Sequence, residues 1–401
     1  MTHCLANEAY VMLRAESGIS PVSCRETNMN TRSMRKSAHL LALLGAMAAT
    51  TPAFAADTFL PACFRAAPGN DTVVKLAAKP GPYRIAFANG FIGNAWRVQM
   101  IQTLKAYAAV PEVASQIKEL RIVSVGTDVS AQIAAMDNFI SAGYDAILID
   151  ANSPTAFKPV LRRARQAGVV VVSFDNTLDK TGKETSLVQV NQDQTEMGHM
   201  MGDWLNQTMK QKSHVLEVRG VPGNSVDRDR HDGFRAALAA DKDIKITEVV
   251  GNWDDGTGQK AVADAFAVNG TFDGVYTQGG STGVTRAILD SHKPLMPIAG
   301  EGENGFRKLI VANAPNGLLG ESAGQSPALS AVALKAAIAT LQGQALPQEI
   351  RVPIPVANYK TLVAGKTYFP ELSDTFFAAS DFPICSINLN AQQITGQVAS
   401  K

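Results

Sequence analysis

The chain has 401 residues, 46% of them hydrophobic, enough to bury a large core and more than one compact α/β domain usually holds. Its 37 basic and 36 acidic side chains nearly cancel, which removes the electrostatic footprint of a nucleic-acid or anionic-membrane binder. A small partner fits that balance, and a monomer without nucleic acid or cofactor is expected.

In chain order, the first signal is one of processing. Met34-Arg35-Lys36 make a positive n-region, residues 40–49 (LLALLGAMAA) an apolar stretch too short to span a bilayer, and Ala53-Phe54-Ala55 a small-residue cleavage site. Cleavage after Ala55 and export to the periplasm are therefore expected; the competing reading is an N-terminal membrane anchor. Met29 or Met34 would each begin a signal peptide of ordinary length, which leaves residues 1–33 as an uninformative leader. No later stretch approaches the ~20 apolar residues that a membrane helix needs. Cys4 and Cys24 fall in the leader, leaving Cys63 and Cys385 near the two ends of the mature chain. An oxidising compartment permits a disulfide between them; the alternatives are two free buried thiols, or lipidation of Cys63 in Leu60-Pro61-Ala62-Cys63. Asp57 and the distance from the apolar stretch argue against lipidation.

After an N-terminal extension, 56–82, short β-rich runs alternate with helical-period segments, the pattern of doubly wound parallel sheets. The expected strands are 84–88, 121–125, 146–150, 169–174, 187–190, 215–218, 246–250, 274–277 and 296–299. Helices are expected at 95–109, 130–142, 155–167, 193–210, 226–240 and 280–291, with Gly143 and Gly168 as stop residues. Nine strands are too many for one simple sheet, so the fold class is α/β with two doubly wound parallel-sheet lobes joined by a hinge. Lobe 1 takes 83–191 and lobe 2 takes 192–323. An Ala-rich helix at 328–341, within a crossover segment of about 324–345, returns to lobe 1. Strands at 318–321 and 351–356 are also expected, with about 346–358 assigned to lobe 2, and 359–401 reads as a tail packed over the surface.

Ligands of open α/β sheets bind outside the carboxyl ends of the strands. Those positions carry Asn94, Trp96 and Arg97 after the first strand, Asp175 and Asn176 after the fourth, Arg228 after the sixth, Trp253 after the seventh and Glu301 after the ninth. They come from both halves of the chain, as a cleft between lobes requires. Indole rings suit the C–H faces of a sugar, and Asp, Asn and Arg suit its hydroxyls. Taken singly, each Trp is also compatible with core packing and each Arg with a solvated surface position.

These residues and several motifs resemble the type I periplasmic sugar-binding proteins, the group that includes ribose- and galactofuranose-binding proteins and is related to the ligand domain of LacI-type regulators. The similarity spans about 83–345. Its most specific part runs from Val218-Arg219-Gly220-Val221-Pro222-Gly223-Asn224-Ser225 through Arg228 to Gly233-Phe234, similar to the family's strand, Gly-rich turn and Arg-bearing helix. Gly143-Tyr144-Asp145, Ser173-Phe174-Asp175, Met201-Gly202-Asp203-Trp204 and Trp96-Arg97 add to it. The resemblance implies a hinge-closing binding protein that hands its ligand to the membrane permease of an ABC importer with its ATPase, or one that feeds a chemoreceptor or sensor kinase. It places ligand contacts on Asn94, Trp96, Arg97, Asp175, Arg228, Trp253 and Glu301. Asn176, the Gly279-Gly280 pair and Glu301 depart from the family pattern, which reshapes the pocket.

Rival chemistries find less support. Gly279-Gly280-Ser281-Thr282-Gly283 fits a nucleophile-elbow pattern, but Asp290 and His292 are two residues apart on one expected helix and cannot form a relay with Ser281. The Gly365-Lys366-Thr367 run lacks the first glycine of a phosphate loop, and His199, His214, His231 and His292 show no metal-ligand spacing, so no metal is expected.

Overall fold

The structure is a computed structural model that describes residues 62–179, 186–211 and 213–399. The leader, the cleavage site after Ala55, Cys4 and Cys24 lie outside the described residues.

The first lobe begins with β1 (Val73–Val74), β2 (Tyr83–Asn89), α1 (Ala95–Ala108), α2 (Pro111–Ala114) and β3 (Ile117–Ser124). It continues through α3 (Val129–Ser141), β4 (Ala146–Asp150), α4 (Lys158–Gln166), β5 (Val170–Phe174) and β6 (Leu187–Asn191). Every residue of β4 (AILID) and β5 (VVVSF) is buried, because helices cover both faces of a parallel sheet. The edge strand β3 starts four residues earlier than expected. Lys118 and Arg121 are exposed there and no residue of β3 is fully buried, which marks a half-covered edge rather than an apolar run. Gly143 and Gly168 end α3 and α4 at φ of 71° and 68°, left-handed backbone that a side chain would strain. α4 starts three residues later than expected, with Pro159 in its first turn.

The second lobe holds α5 (Gln194–Thr208), β7 (His214–Arg219), α6 (Ser225–Leu238), β8 (Lys245–Val250), α7 (Asp255–Asn269), β9 (Gly274–Thr277) and α8 (Ser281–Asp290). Next come β10 (Ile298–Glu301), α9 (Asn304–Asn313) and β11 (Gly320–Ala323). α5 and α6 pack backbone to backbone: a Cβ on Gly233 would collide with the Thr195 carbonyl oxygen, and one on Gly198 with that of Arg230. That approach fixes which face of α6 looks inward.

The chain then returns to lobe 1 as α10 (Leu329–Leu341), all thirteen residues of which are buried against α1 and the first sheet. β12 (Leu346–Pro347) pairs with β1, β13 (Glu349–Arg351) joins β6, β14 (Val356–Asn358) joins β11, and α11 (Ala391–Thr395) packs on α1. The six-stranded sheets run β13-β6-β5-β4-β2-β3 and β14-β11-β10-β9-β7-β8. Segment 346–358 therefore does not belong to lobe 2 alone, as expected from the sequence. It divides: Glu349–Arg351 extends the first sheet in parallel and Val356–Asn358 the second antiparallel, so the expected single strand at 351–356 is instead a crossing between lobes.

Three spans thus connect the lobes within the doubly wound part, around residues 191–194, 323–328 and 351–356. One buried side chain joins them: Gln192 donates through Nε2 to the Gly324 and Pro353 carbonyls at 2.9 and 2.8 Å and accepts from the Ser326 N–H at 2.9 Å. The tail packs onto the lobes with Phe376, Phe377, Phe382, Ile387 and Ile394 buried. Cys63 and Cys385, 322 positions apart, are bonded with Sγ–Sγ 2.08 Å.

Candidate functional site

A cavity of about 890 Å³ lies at the carboxyl ends of both sheets and is lined from both lobes and from the tail. Exposed apolar groups line it from each lobe, Phe91 at 41% and Val221 at 39% exposure.

On the lobe 1 side, Asn94 caps α1 by accepting from the Arg97 N–H at 2.9 Å, which starts the helix beside the cavity. Arg97 pairs with Asp150 and lies 3.7 Å from Asp175 Oδ2. Asp175 adopts φ 57°, a left-handed conformation reached right after β5 and held by a 2.5 Å bond from Gln325 Nε2. Asn176 donates to Asp150 Oδ1 at 2.9 Å, while its own Oδ1, buried at the cavity wall, has no hydrogen-bond partner among the described residues.

Lobe 2 presents a matching pair. Arg230 is 1% exposed; it pairs with Glu301, donates to the Gln278 carbonyl at 2.7 Å and reaches Gln194 Oε1 at 2.8 Å. Gln194 donates to Gln325 Oε1 at 2.8 Å. An unbroken polar chain therefore runs from Glu301 through Arg230, Gln194, Gln325, Asp175 and Arg97 to Asp150, crossing the hinge on its way between lobes.

Burial sets the protonation of this floor. It pushes the Asp150 carboxyl up to about 7, opposed by Arg97 and reinforced by Asp175. Burial also raises Glu301, opposed by Arg230. Glu303 is pushed up to about 7 by burial and by Asp255, although the N–H groups of Ser281 and Thr282 at the start of α8 stabilise its charge at 2.9 and 2.7 Å.

Asn94, Trp96, Arg97, Asp175, Asn176, Trp253 and Glu301 all line this cavity, but Arg228 does not. Its side chain is 63% exposed and paired with the adjacent Asp229. The correction follows from helix phase: the buried face of α6 carries Val226, Arg230, Gly233 and Phe234, and two residues on a helix turn the side chain to the far side. Spacing puts Arg230 on the same face of α6 as Val226 and Phe234, but packing on α5 decides that this face turns to the cleft. Trp96 is not a free stacking platform either. It is 8% exposed in the lobe 1 core, with Nε1 donating to the Gln325 carbonyl at 2.9 Å. Trp253, at φ 55°, is more open and seats its indole between Gly220 and Gly279, so the glycine at 279 makes room for the ring.

Two rival sites look different in three dimensions. Ser281 is fully buried with Oγ bonded to the Glu301 N–H at 2.9 Å, and His292 sits past the far end of α8, about 15 Å along its axis. Glu217, His231 and Glu248 gather within 4.8 Å, a cluster that spacing did not suggest. Arg235 bonds both carboxylates at 2.6 and 3.1 Å, so the protein itself balances their charge.

Two α/β lobes on three crossing spans, each offering a charge pair to one cleft, define a cleft-type binding protein. Residues 85–345 match the family described as periplasmic binding protein domain, and the chain belongs to that family. It is 29% identical over 170 residues to the galactofuranose-binding protein of Escherichia coli, covering 42% of this chain and 52% of the relative. It is 30% identical over 197 residues to the D-ribose/D-allose-binding protein of Pseudomonas aeruginosa, covering 47% and 60%. The chain thus spans less than two thirds of the length of either relative. A solved ABC transporter solute-binding protein from Thermobispora bispora aligns with TM-score 0.60 and 28% identity, covering 68% of this chain and 84% of that one.

Proposed function

We propose that the chain is a periplasmic solute-binding protein that captures a sugar or sugar-like polyol in its cleft and delivers it to the permease of an ABC importer. The observation that carries this reading is the convergence on one cavity of Arg97–Asp175 from lobe 1 and Arg230–Glu301 from lobe 2. A polyhydroxylated ring can donate to the carboxylates and accept from the guanidinium groups on both sides, so it binds the closed arrangement better than the open one and shifts the population toward it. The names of the relatives, galactofuranose- and ribose/allose-binding, support the same ligand class. Asp175, Asn176 and Trp253 are assigned to ligand contact, with Arg230 in place of Arg228. Binding alone suffices, and no bond of the ligand needs to break.

The test is a thermal-shift and calorimetric panel on the protein starting at Ala56, with D-ribose, D-allose, L-arabinose, D-galactose and myo-inositol as probes. A true ligand at 100 times its dissociation constant adds about 2.7 kcal/mol. A protein stabilised by none of the five, yet by amino acids or anions, would overturn the ligand class.

A further inference from the structure

The matched family segment ends at residue 345, yet Thr375 and Phe377 line the cleft. Their segment is bound to both lobes. On the lobe 2 side, Arg307 Nη1 donates to the Thr367 carbonyl at 2.6 Å, and the Asn304 side chain pairs with the Phe369 backbone by two bonds of 2.8 Å. Asp374 meets Arg286 at 2.7 Å and Lys308 at 3.2 Å. The N–H groups of Gly305 and Asn304 then donate to the Asp374 and Phe376 carbonyls, and the Ala378 N–H donates to the Gly302 carbonyl at 2.9 Å.

Within the same few residues the chain passes to lobe 1. The Gln99 side chain, from α1, accepts from the Phe377 N–H at 2.8 Å and donates to the Phe377 carbonyl at 3.0 Å and to Ser380 Oγ at 2.6 Å. Beyond that, Gln102 bonds the Gln397 carbonyl at 2.9 Å and α11 packs on α1. Cys385 is bonded to Cys63, whose segment is tied to β13 of the lobe 1 sheet through Arg65 and Ala67. At the crossing point Ala379 sits against Gly324, a residue of the hinge; a Cβ on that glycine would stand 2.8 Å from the Ala379 Cβ.

We propose that residues 367–398 form a fourth connection between the lobes, anchored to lobe 1 by the cystine, which limits how far the cleft opens and walls it with Thr375 and Phe377. The physical basis is geometric. A hinge opens by rotating about its crossing spans, and a short segment bonded to both bodies beside the cleft must stretch or detach as the lobes separate. Its bonds at Gly302, Asn304 and Gln99 are buried, so detachment gives up several shielded hydrogen bonds at once in exchange for bonds to water, each at a modest net cost.

The experiment reads the ligand-free protein and so does not depend on the ligand class proposed above. Maleimide spin labels on Arg162→Cys and Val268→Cys, exposed positions of lobes 1 and 2, leave the Cys63–Cys385 bond intact and report the inter-lobe distance by pulsed electron resonance. Compared with the parent, Gln99→Ala combined with Cys63→Ser and Cys385→Ser should give a longer mean distance and a broader distribution. Ser380→Ala should move it in the same direction by less. If the combined variant does not fold, Gln99→Ala folded with its cystine, labelled and then reduced supplies the untied state. Distance distributions that superimpose on the parent in the untied protein would overturn the proposal.

Discussion

Arg230→Ala separates the site assembled by the fold from the one suggested by spacing. Arg230 is 1% exposed and holds Glu301, itself 6% exposed, together with the Gln278 carbonyl and Gln194. Removing it strands a buried carboxylate, a loss of about 3–5 kcal/mol in unfolding free energy. Because burial already raises the Glu301 carboxyl, losing the cation raises it further. The stranded group can then stay protonated, and the variant should be less damaged at pH 5 than at pH 8. Arg228→Ala removes only an exposed ion pair with its neighbour, and its cost should stay within about 0.5 kcal/mol. Replacing both partners, Arg230→Met with Glu301→Met, should recover most of the stability, since no uncompensated charge remains. Sugar affinity should stay down ten- to a hundred-fold, the roughly 1.5–3 kcal/mol carried by charged hydrogen bonds to hydroxyls. Urea unfolding of each variant, followed by calorimetric titration with the sugar found in the panel, measures both quantities. Lost affinity in Arg228→Ala alongside normal stability and affinity in Arg230→Ala would refute this reasoning.

Gly220→Ala should push the Trp253 indole out of its slot, because the new methyl would meet the ring at Cε2 and Nε1; ligand-induced indole fluorescence and affinity should both fall, and an unchanged signal counts against the seating. For Glu303, raised from 4.5 to about 7, the folded form holds its proton more tightly than the unfolded chain. Its stability contribution is therefore fully present at low pH, declines as pH rises toward about 7, and is flat above. Urea unfolding of the parent minus Glu303→Gln, measured from pH 5 to pH 8, should follow that decline, and a difference that grows with pH would contradict it. Thiol labelling of the denatured, unreduced protein starting at Ala56 should find no reactive cysteine, whereas two labelled thiols would show Cys63 and Cys385 to be unpaired.

What the sequence by itself determined lies within a few residues along the chain. The apolar runs of β4 and β5, the stop glycines Gly143 and Gly168 and the position of Asn94 at the start of α1 depend on backbone sterics and on neighbours one turn away. Residues placed just after strands also reached the cleft without long-range knowledge, because a parallel sheet delivers all its carboxyl ends to one side; hence Arg97, Asp175, Trp253 and Glu301 were legible. Three features were decided only by the tertiary structure. Arg230 faces inward because Gly198 and Gly233 press α6 onto α5, and that contact selects one helix face over another bearing a chemically equivalent arginine. Asp150 and Gln325 join the site only when strand, hinge and helix meet, at separations of 53 residues from Arg97 and 150 from Asp175. The tail, with little periodicity of its own, acquires its course from partners such as Gln99, 278 positions away from Phe377. Local sterics act on neighbouring residues and leave a readable pattern, whereas contacts between remote segments depend on which surfaces the completed lobes bring together.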